Sequence, residues 1–315
     1  MATYTQLQQE DIQFIAQQYQ LDIQSVEPIK EGSNNSNFKL YTKQGLFIAT
    51  LSEARPIQEI RQLAELIDYL HFHGIKTNSI QRTKDQAFVT ELKGKPLFVK
   101  NYIEGGVIES LSLSMIREVG RTMGKFHNIA PPPYLTTIHD YERAHYEVVL
   151  HQDIDPQYGA WLQQISASLS KLIERYPLQK GCVHGDLFTD NMLFHQGKLQ
   201  AFIDFEDTCY HHLVLDIGMT LIGTCRINLR YINFELAAEF LRGYQEERSL
   251  THHEILMIQV YMIWSAVQTS KWRFWKYRMH APWPERADWH THMVDLANYL
   301  QSISPDECLT KLGFD

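Results

Sequence analysis

Cysteine is scarce in this chain, and the four present, Cys182, Cys209, Cys225 and Cys308, show neither a CxxC pair nor a regular spacing. A disulfide framework needs paired cysteines, and a structural zinc site needs clustered thiolates or imidazoles, so the pattern argues against both. The cysteines read as thiols of a reducing compartment. Long apolar runs are missing as well, and the N-terminal stretch carries Gln6, Gln8, Gln9 and Gln13 where a signal peptide would place basic and then apolar residues. No stretch nears the roughly 20 apolar residues that cross a bilayer, so cytoplasmic residence is the expectation.

Runs of positive charge are absent too. Net charge is −8 with His neutral, and no basic stripe is present that could track a phosphate backbone, so neither nucleic acid nor a membrane is an expected partner. Fifteen histidines would allow a metal centre. Their local groups (His71 and His73, His211 and His212, His252 and His253, His290 and His292) have no companion Cys and no HExxH spacing. Surface or packing roles are expected for them. Internal repeats and low-complexity segments are also missing. What remains is 315 residues, 44% hydrophobic and 21% charged, enough for one large globular unit or two smaller lobes sharing a cleft.

The strongest punctuation is Pro131-Pro132-Pro133, with a second break at Gly105-Gly106. Before residue 103 apolar residues come in short strand-like runs: Phe38 and Leu40, Leu46 to Leu51, Ala87 to Val89, and Leu97 to Val99. One helix interrupts them, because Ile57, Ile60, Leu63, Ile67 and Leu70 recur at helical spacing and Gly74 closes the segment. Beyond residue 106 the period becomes helical, as in Ile116, Val119, Met123 and Phe126, or Ile255, Ile258, Met262 and Val267. The expected fold class is α+β: an antiparallel sheet lobe with one helix over residues 1–103, then a larger, mainly helical lobe over 104–315.

The most informative stretch runs from Cys182 through His184-Gly185-Asp186-Leu187-Phe188-Thr189-Asp190-Asn191 to Phe194, followed by Leu199 to Asp204-Phe205-Glu206. Two short apolar runs flank His195-Gln196-Gly197-Lys198, which reads as a hairpin turn. Phosphoryl transfer needs a carboxylate to orient the attacking hydroxyl and hard oxygen ligands to hold Mg²⁺ against phosphates. Asp186 suits the first role, and Asn191 and Asp204 the second. Asp186, Asp190 and Asn191 could each be ordinary turn or cap residues, but that reading leaves Asp204, beyond a hairpin, unexplained. His184 is expected to brace the loop and Asp190 to cap it. Upstream, Gly32, Ser33, Asn34, Asn35, Ser36 and Asn37 form a small polar segment able to aim backbone N–H groups at phosphate oxygens.

These residues resemble the aminoglycoside phosphotransferase and choline kinase superfamily, which shares the protein-kinase fold, and within it the bacterial homoserine kinases. The resemblance covers essentially the whole chain. It rests on Gly32 to Asn37, on Phe47-Ile48-Ala49-Thr50-Leu51, on Gly120 to His127 and on His184-Gly185-Asp186-Leu187-Phe188 with Asp190-Asn191. It implies ATP and Mg²⁺ as cofactors, adenine against Val99 to Tyr102, Asp186 facing the acceptor hydroxyl, and Asp216 supporting the C-lobe core. Thr50 stands where most kinases place a third-strand Lys or Arg, with Glu59 as the helix residue that would pair with it. Glu206-Asp207 follows Phe205 where homoserine kinases tend to be aromatic. The acceptor pocket is expected to draw on Trp264, Trp272, Trp275 and Tyr277 with Lys271, Arg273, Lys276 and Arg278, although for most of these residues singly the expected place is an amphipathic core helix with a solvated basic face. Homoserine is the leading acceptor, with choline, ethanolamine or an aminoglycoside as alternatives. A nucleotide-binding pseudokinase is the rival of another class, and a protein kinase is disfavoured by the lack of an APE-like segment.

Overall fold

The computed structural model describes residues 5–29, 35–137 and 146–314. The chain forms two compact units, one of Met1–Gly105 with Gln200–Ile203, the other of Gly106–Leu199 with Asp204–Asp315.

In the first unit, α1 (Gln9–Tyr19) precedes β1 (Ile23–Ile29), β2 (Asn35–Thr42) and β3 (Gly45–Ser52). Then come α2 (Ile57–Phe72), β4 (Val89–Leu92) and β5 (Lys95–Asn101). The strands make one antiparallel sheet in the order β1-β2-β3-β5-β4. Period-two alternation on β2 buries Ser36, Phe38 and Leu40, and Phe38 and Leu40 join Ala49, Leu51, Leu97 and Val99 in a core closed by Ile15 and Tyr19 of α1.

Helix α1 is hidden by its Gln-rich composition. Its buried residues Asp11, Ile15 and Tyr19 nevertheless fall at a spacing of four. The Asp11 carboxylate accepts the Gln8 N–H at 2.6 Å and pairs with Lys93 at 2.5 Å, which satisfies one otherwise stranded N-terminal donor. Helix α2 matches the expected periodicity, burying Ile60, Ala64, Leu66, Ile67 and Leu70. It ends where Gly74, at φ +80°, donates to His71 O at 3.0 Å while Ile75 donates to Leu70 O at 3.1 Å, the paired bonds of a Schellman stop.

The second unit contains α3 (Leu113–His127), α4 (Tyr146–Leu150), α5 (Pro156–Ile173), β6 (Lys180–Val183), β7 (Met192–His195), β8 (Lys198–Phe202) and β9 (Cys209–His212). It continues with α6 (Val214–Thr224), β10 (Arg226–Ile227), β11 (Tyr231–Ile232), α7 (Phe234–Gln245), α8 (His252–Phe274), α9 (Trp289–Ser302) and α10 (Pro305–Lys311). Gln196 and Gly197, at φ +50° and +75°, link β7 to β8 as the expected two-residue hairpin turn. All four cysteines are buried and none forms a disulfide. Among the described residues no helix is long and apolar enough to cross a membrane.

Helices α3 and α7 approach until their backbones touch. A Cβ added at Gly120 would lie 2.1 Å from Phe240 O, and one at Gly243 2.1 Å from Arg117 O. Outside this seam Arg117 and Arg121 both pair with Glu246, Arg117 at 2.6 Å. Because the Gly243 contact is with backbone that has no rotamer to yield, Gly243→Ala is expected to destabilise the protein by about 3 kcal/mol. A urea midpoint unchanged from wild type would show that the helices do not close this tightly.

Candidate active site

Strand β6 pairs with β9 through Val183, opposite Cys209. The next residues, His184 and Gly185, turn away from the ladder and leave two backbone donors to satisfy in the interior. Both go to Asp216 in the first turn of α6: His184 N–H reaches Oδ2 at 2.6 Å and Gly185 N–H reaches Oδ1 at 2.8 Å. Gly185 sits at φ +85°, where a Cβ would be strained.

Asp216 and His184 are both 0% exposed, so an unpaired charge on Asp216 would be prohibitive. A third bond comes from His127 Nε2 at 3.1 Å, and the chain of donors continues outward. Tyr244 Oη bonds His127 Nδ1 at 2.8 Å, Arg248 donates to Tyr244 Oη at 2.9 Å, and Arg248 pairs with Glu254 at 2.7 Å. Glu254 itself closes a capping box with Thr251 at the start of α8. Helices α3, α6, α7 and α8 thereby each supply one link to the loop after β6. Burial pushes the Asp216 carboxyl upward, but the hydrogen bonds from His127 and Gly185 outweigh it and hold it below the ordinary carboxylate range.

Beyond Gly185 the chain folds on itself. Asp186 N–H donates to His184 Nδ1 at 3.3 Å, Phe188 N–H to Asp186 O at 3.0 Å, and Asn191 N–H to Phe188 O at 3.1 Å. The short turn Thr189–Asn191 lets Asn191 Nδ2 reach back to Asp186 O at 2.7 Å and to Asp186 Oδ2 at 3.2 Å. Asp186 and Asn191 are therefore in direct contact, and the Asn191 amide presents Oδ1 as its remaining hard donor. His184 braces the loop, as expected of it. Asp190 is exposed on the turn.

Asp204 follows β8 and is exposed, with φ +64°. A left-handed conformation at a residue other than glycine costs about 1–2 kcal/mol and is held by what surrounds it. Here the next residue does the holding: the Phe205 ring lies 4.7 Å from the His184 ring and 6.1 Å from Phe126. The stretch carrying Asp204 is thus anchored against the loop carrying Asp186. Among the described residues there is no group of three or more His, Cys, Asp or Glu side chains suited to a metal ion. The candidate ligands Asn191 and Asp204 supply one amide oxygen and one carboxylate, and that hard-oxygen chemistry fits Mg²⁺.

Residues of the first unit are placed less simply. Gly32, Ser33 and Asn34 lie outside the described residues, as does part of the insert near 131–156. Asn35, Ser36 and Asn37 belong to β2 and not to a loop, with their backbones in register against Ser52, Leu51 and Thr50. Ser36 Oγ donates to Glu53, a carboxylate lowered to about 2 because bonds from Lys95, Ser36 and Thr5 outweigh its burial. Thr50 is buried and its hydroxyl donates to Asn37 Oδ1 at 2.8 Å. Glu59 is exposed in the first turn of α2, 3.6 Å from Arg55. Val99 is buried with its carbonyl accepting from Gln81 N–H at 2.8 Å, while Tyr102 N–H donates to Leu46 O at 2.9 Å and its ring lies 3.9 Å from Lys39 Nζ.

The late basic and aromatic residues divide. Lys271 is 1% exposed, 5.7 Å from the Tyr146 ring, and not on a solvated face. Arg278 is spent on Asp288 at 2.6 Å, and Trp264 is buried. Trp275 stacks on His280. Arg273 lies against Trp289.

Comparison with known proteins puts this geometry in context. The model of a family described as the phosphotransferase enzyme family matches residues 25–255. A homoserine kinase of Sinorhizobium fredii is 27% identical over 321 residues, spanning 100% of this chain and 94% of that protein. Among solved structures, an amicoumacin kinase in complex with AMP-PNP and Ca²⁺ superposes with a TM-score of 0.75 at 17% identity, covering 93% of each chain. A choline/ethanolamine kinase family protein from Mesorhizobium loti gives 0.69 at 12% identity, covering 91% of this chain and 92% of that one. These structures share the two-lobed fold.

The Asp216 carboxylate yields a signed expectation. Its folded pKa lies below the unfolded one, so its contribution to stability is complete above about pH 4 and is lost as pH falls through the lower folded value. Asp216→Asn is expected to cost about 3 kcal/mol at pH 7, because an amide N–H₂ would face the His184 or Gly185 N–H, and to lessen the acid-induced loss. Urea titrations of both proteins at pH 7 and pH 3.5 test this. Equal stability at pH 7 would contradict it.

Proposed function

We propose that this chain, which belongs to the phosphotransferase enzyme family and is a small-molecule kinase, moves the γ-phosphoryl group of ATP onto the hydroxyl of homoserine. The observation carrying the reading is the direct contact of Asp186 with Asn191, 2.7 Å and 3.2 Å, on a loop pinned to Asp216. Homoserine is favoured because the named relative from Sinorhizobium fredii aligns along the whole chain.

In this reading Asp186 orients the acceptor hydroxyl and accepts its proton as the oxygen bonds to the γ-phosphorus, while the bond from that phosphorus to the bridging oxygen breaks and ADP leaves. Asn191 Oδ1 and the Asp204 carboxylate hold Mg²⁺. When bound there, the ion would supply positive charge against the phosphates. The Nδ2 bonds from Asn191 fix the Asp186 carboxylate before substrate arrives, so little reorganisation is needed during transfer. Gly32 to Asn37 cover the phosphates through backbone N–H groups, with Glu59 at the edge of that region. Adenine lies along the segment from Val99 to Tyr102. Since the Val99 carbonyl and the Tyr102 N–H are already bonded, its edge would meet the backbone just beyond, at Ile103. Glu206 and Asp207, half-buried after Phe205, favour the second reading, a cationic hydroxyl compound such as choline or an aminoglycoside.

Asp186→Asn is expected to lower kcat about a thousandfold while leaving ATP affinity near wild type. ADP release and nucleotide titration measure the two quantities. Retention of most turnover would remove Asp186 from its role, and ADP release fastest with choline or an aminoglycoside would replace homoserine as the acceptor.

A further inference from the structure

Helix α6 ends against the loop that carries Asp186 and Asn191. A Cβ added at Gly223 would lie 3.0 Å from the Phe188 ring, so the absence of a side chain there permits the contact. Three residues later the chain presents Arg226, the first residue of β10, with its guanidinium carbon 5.8 Å from the same ring. Phe188 is two positions past Asp186. The Arg226 guanidinium therefore faces the same loop from the α6 side.

Arg226 is poorly satisfied where it lies. Its Nε is buried without a hydrogen-bond partner, and no ion pair joins it to a carboxylate among the described residues. A buried N–H of a charged group left unpaired is costly, so it marks a place where a partner belongs. The surroundings add positive potential. Burial and then the neighbouring Arg273 guanidinium pull the Arg226 pKa down to about 10, against a weaker opposing pull from exposed Asp190. His292 is lowered as well, by burial first and then by Arg230, Arg273 and Arg226 despite Asp295. Arg226 remains cationic at neutral pH and feels a second guanidinium, that of Arg273, nearby.

We infer that Arg226, with Arg273 beside it, binds the carboxylate of the acceptor. A planar guanidinium with an unspent N–H next to a second cation matches a carboxylate in both shape and charge. The inference rests on the kinase reading and sharpens it: the acceptor is an amino or hydroxy acid whose hydroxyl reaches Asp186 while its acid group sits at Arg226. The same pair repels choline, ethanolamine and aminoglycosides, which bring cations to that position.

The test compares L-homoserine with homoserinol, in which a hydroxymethyl group replaces the carboxylate. Wild type, Arg226→Gln, Arg226→Lys and Arg273→Gln are each titrated with both compounds in the presence of AMP-PNP and Mg²⁺, and assayed with ATP for kcat and KM. Arg226→Gln is expected to raise the Kd and KM for L-homoserine about 30-fold while leaving homoserinol and the KM for ATP unchanged, with Arg226→Lys recovering part of the loss. If Arg226→Gln does not fold, Arg273→Gln carries the comparison and is expected to weaken L-homoserine selectively. Equal losses for both compounds, or no change for L-homoserine, overturn the site. Failure of the kinase reading looks different: wild type would bind L-homoserine but release no ADP, and selective weakening of that binding in Arg226→Gln would still uphold the anion site.

Discussion

One carboxylate without access to water organises this protein. Asp216 receives the two backbone N–H groups that the chain exposes on leaving β6, and a third bond from His127 fixes its orientation. Without it the His184-Gly185 turn would strand two donors in the interior, at about 1–3 kcal/mol each. The anchor is itself held from behind by Tyr244, Arg248 and Glu254, residues of α7, the turn after it and α8. Packing of these helices is therefore coupled to the position of Asp186, although none of their side chains needs to touch a substrate.

Strain and support meet at the same place. Gly185 and Asp204 both occupy left-handed backbone, at φ +85° and +64°, and they flank the His184–Phe205 ring contact at 4.7 Å. Aromatic packing thus does for the Asp204 segment what hydrogen bonding to Asp216 does for the Asp186 loop. The result is a set of polar groups carried on turns whose geometry is settled by buried neighbours.

Much of this was legible in the sequence, and the limits are instructive. The Asp186–Asn191 contact spans five residues, so local spacing revealed it, as it did the α2 periodicity and the Gln196-Gly197 turn. The Asp216–His127 bond joins residues 89 apart, a distance at which residue order carries no spacing rule; the resemblance supplied only a general supporting role for Asp216. Helix α1 went unread because glutamine outweighs its few apolar positions. Ser36 and Asn37 look like loop residues by type, yet each is satisfied inside the sheet, by Glu53 and Thr50. Lys271 shows the reverse: a residue that composition places on a solvated face lies in the interior. The surroundings of Arg226 are set by Phe188 and Arg273, residues far from it in the chain.

The central claim is spatial: an amide and two carboxylates meet around one divalent cation and one hydroxyl. A crystal structure of the protein with AMP-PNP, Mg²⁺ and L-homoserine tests it most directly. The expected result is Mg²⁺ at about 2.1 Å from Asn191 Oδ1 and from an Asp204 oxygen, with the homoserine hydroxyl hydrogen-bonded to Asp186. A cation held by other residues, or Asp204 turned away from it with the hydroxyl out of reach of Asp186, would contradict the claim.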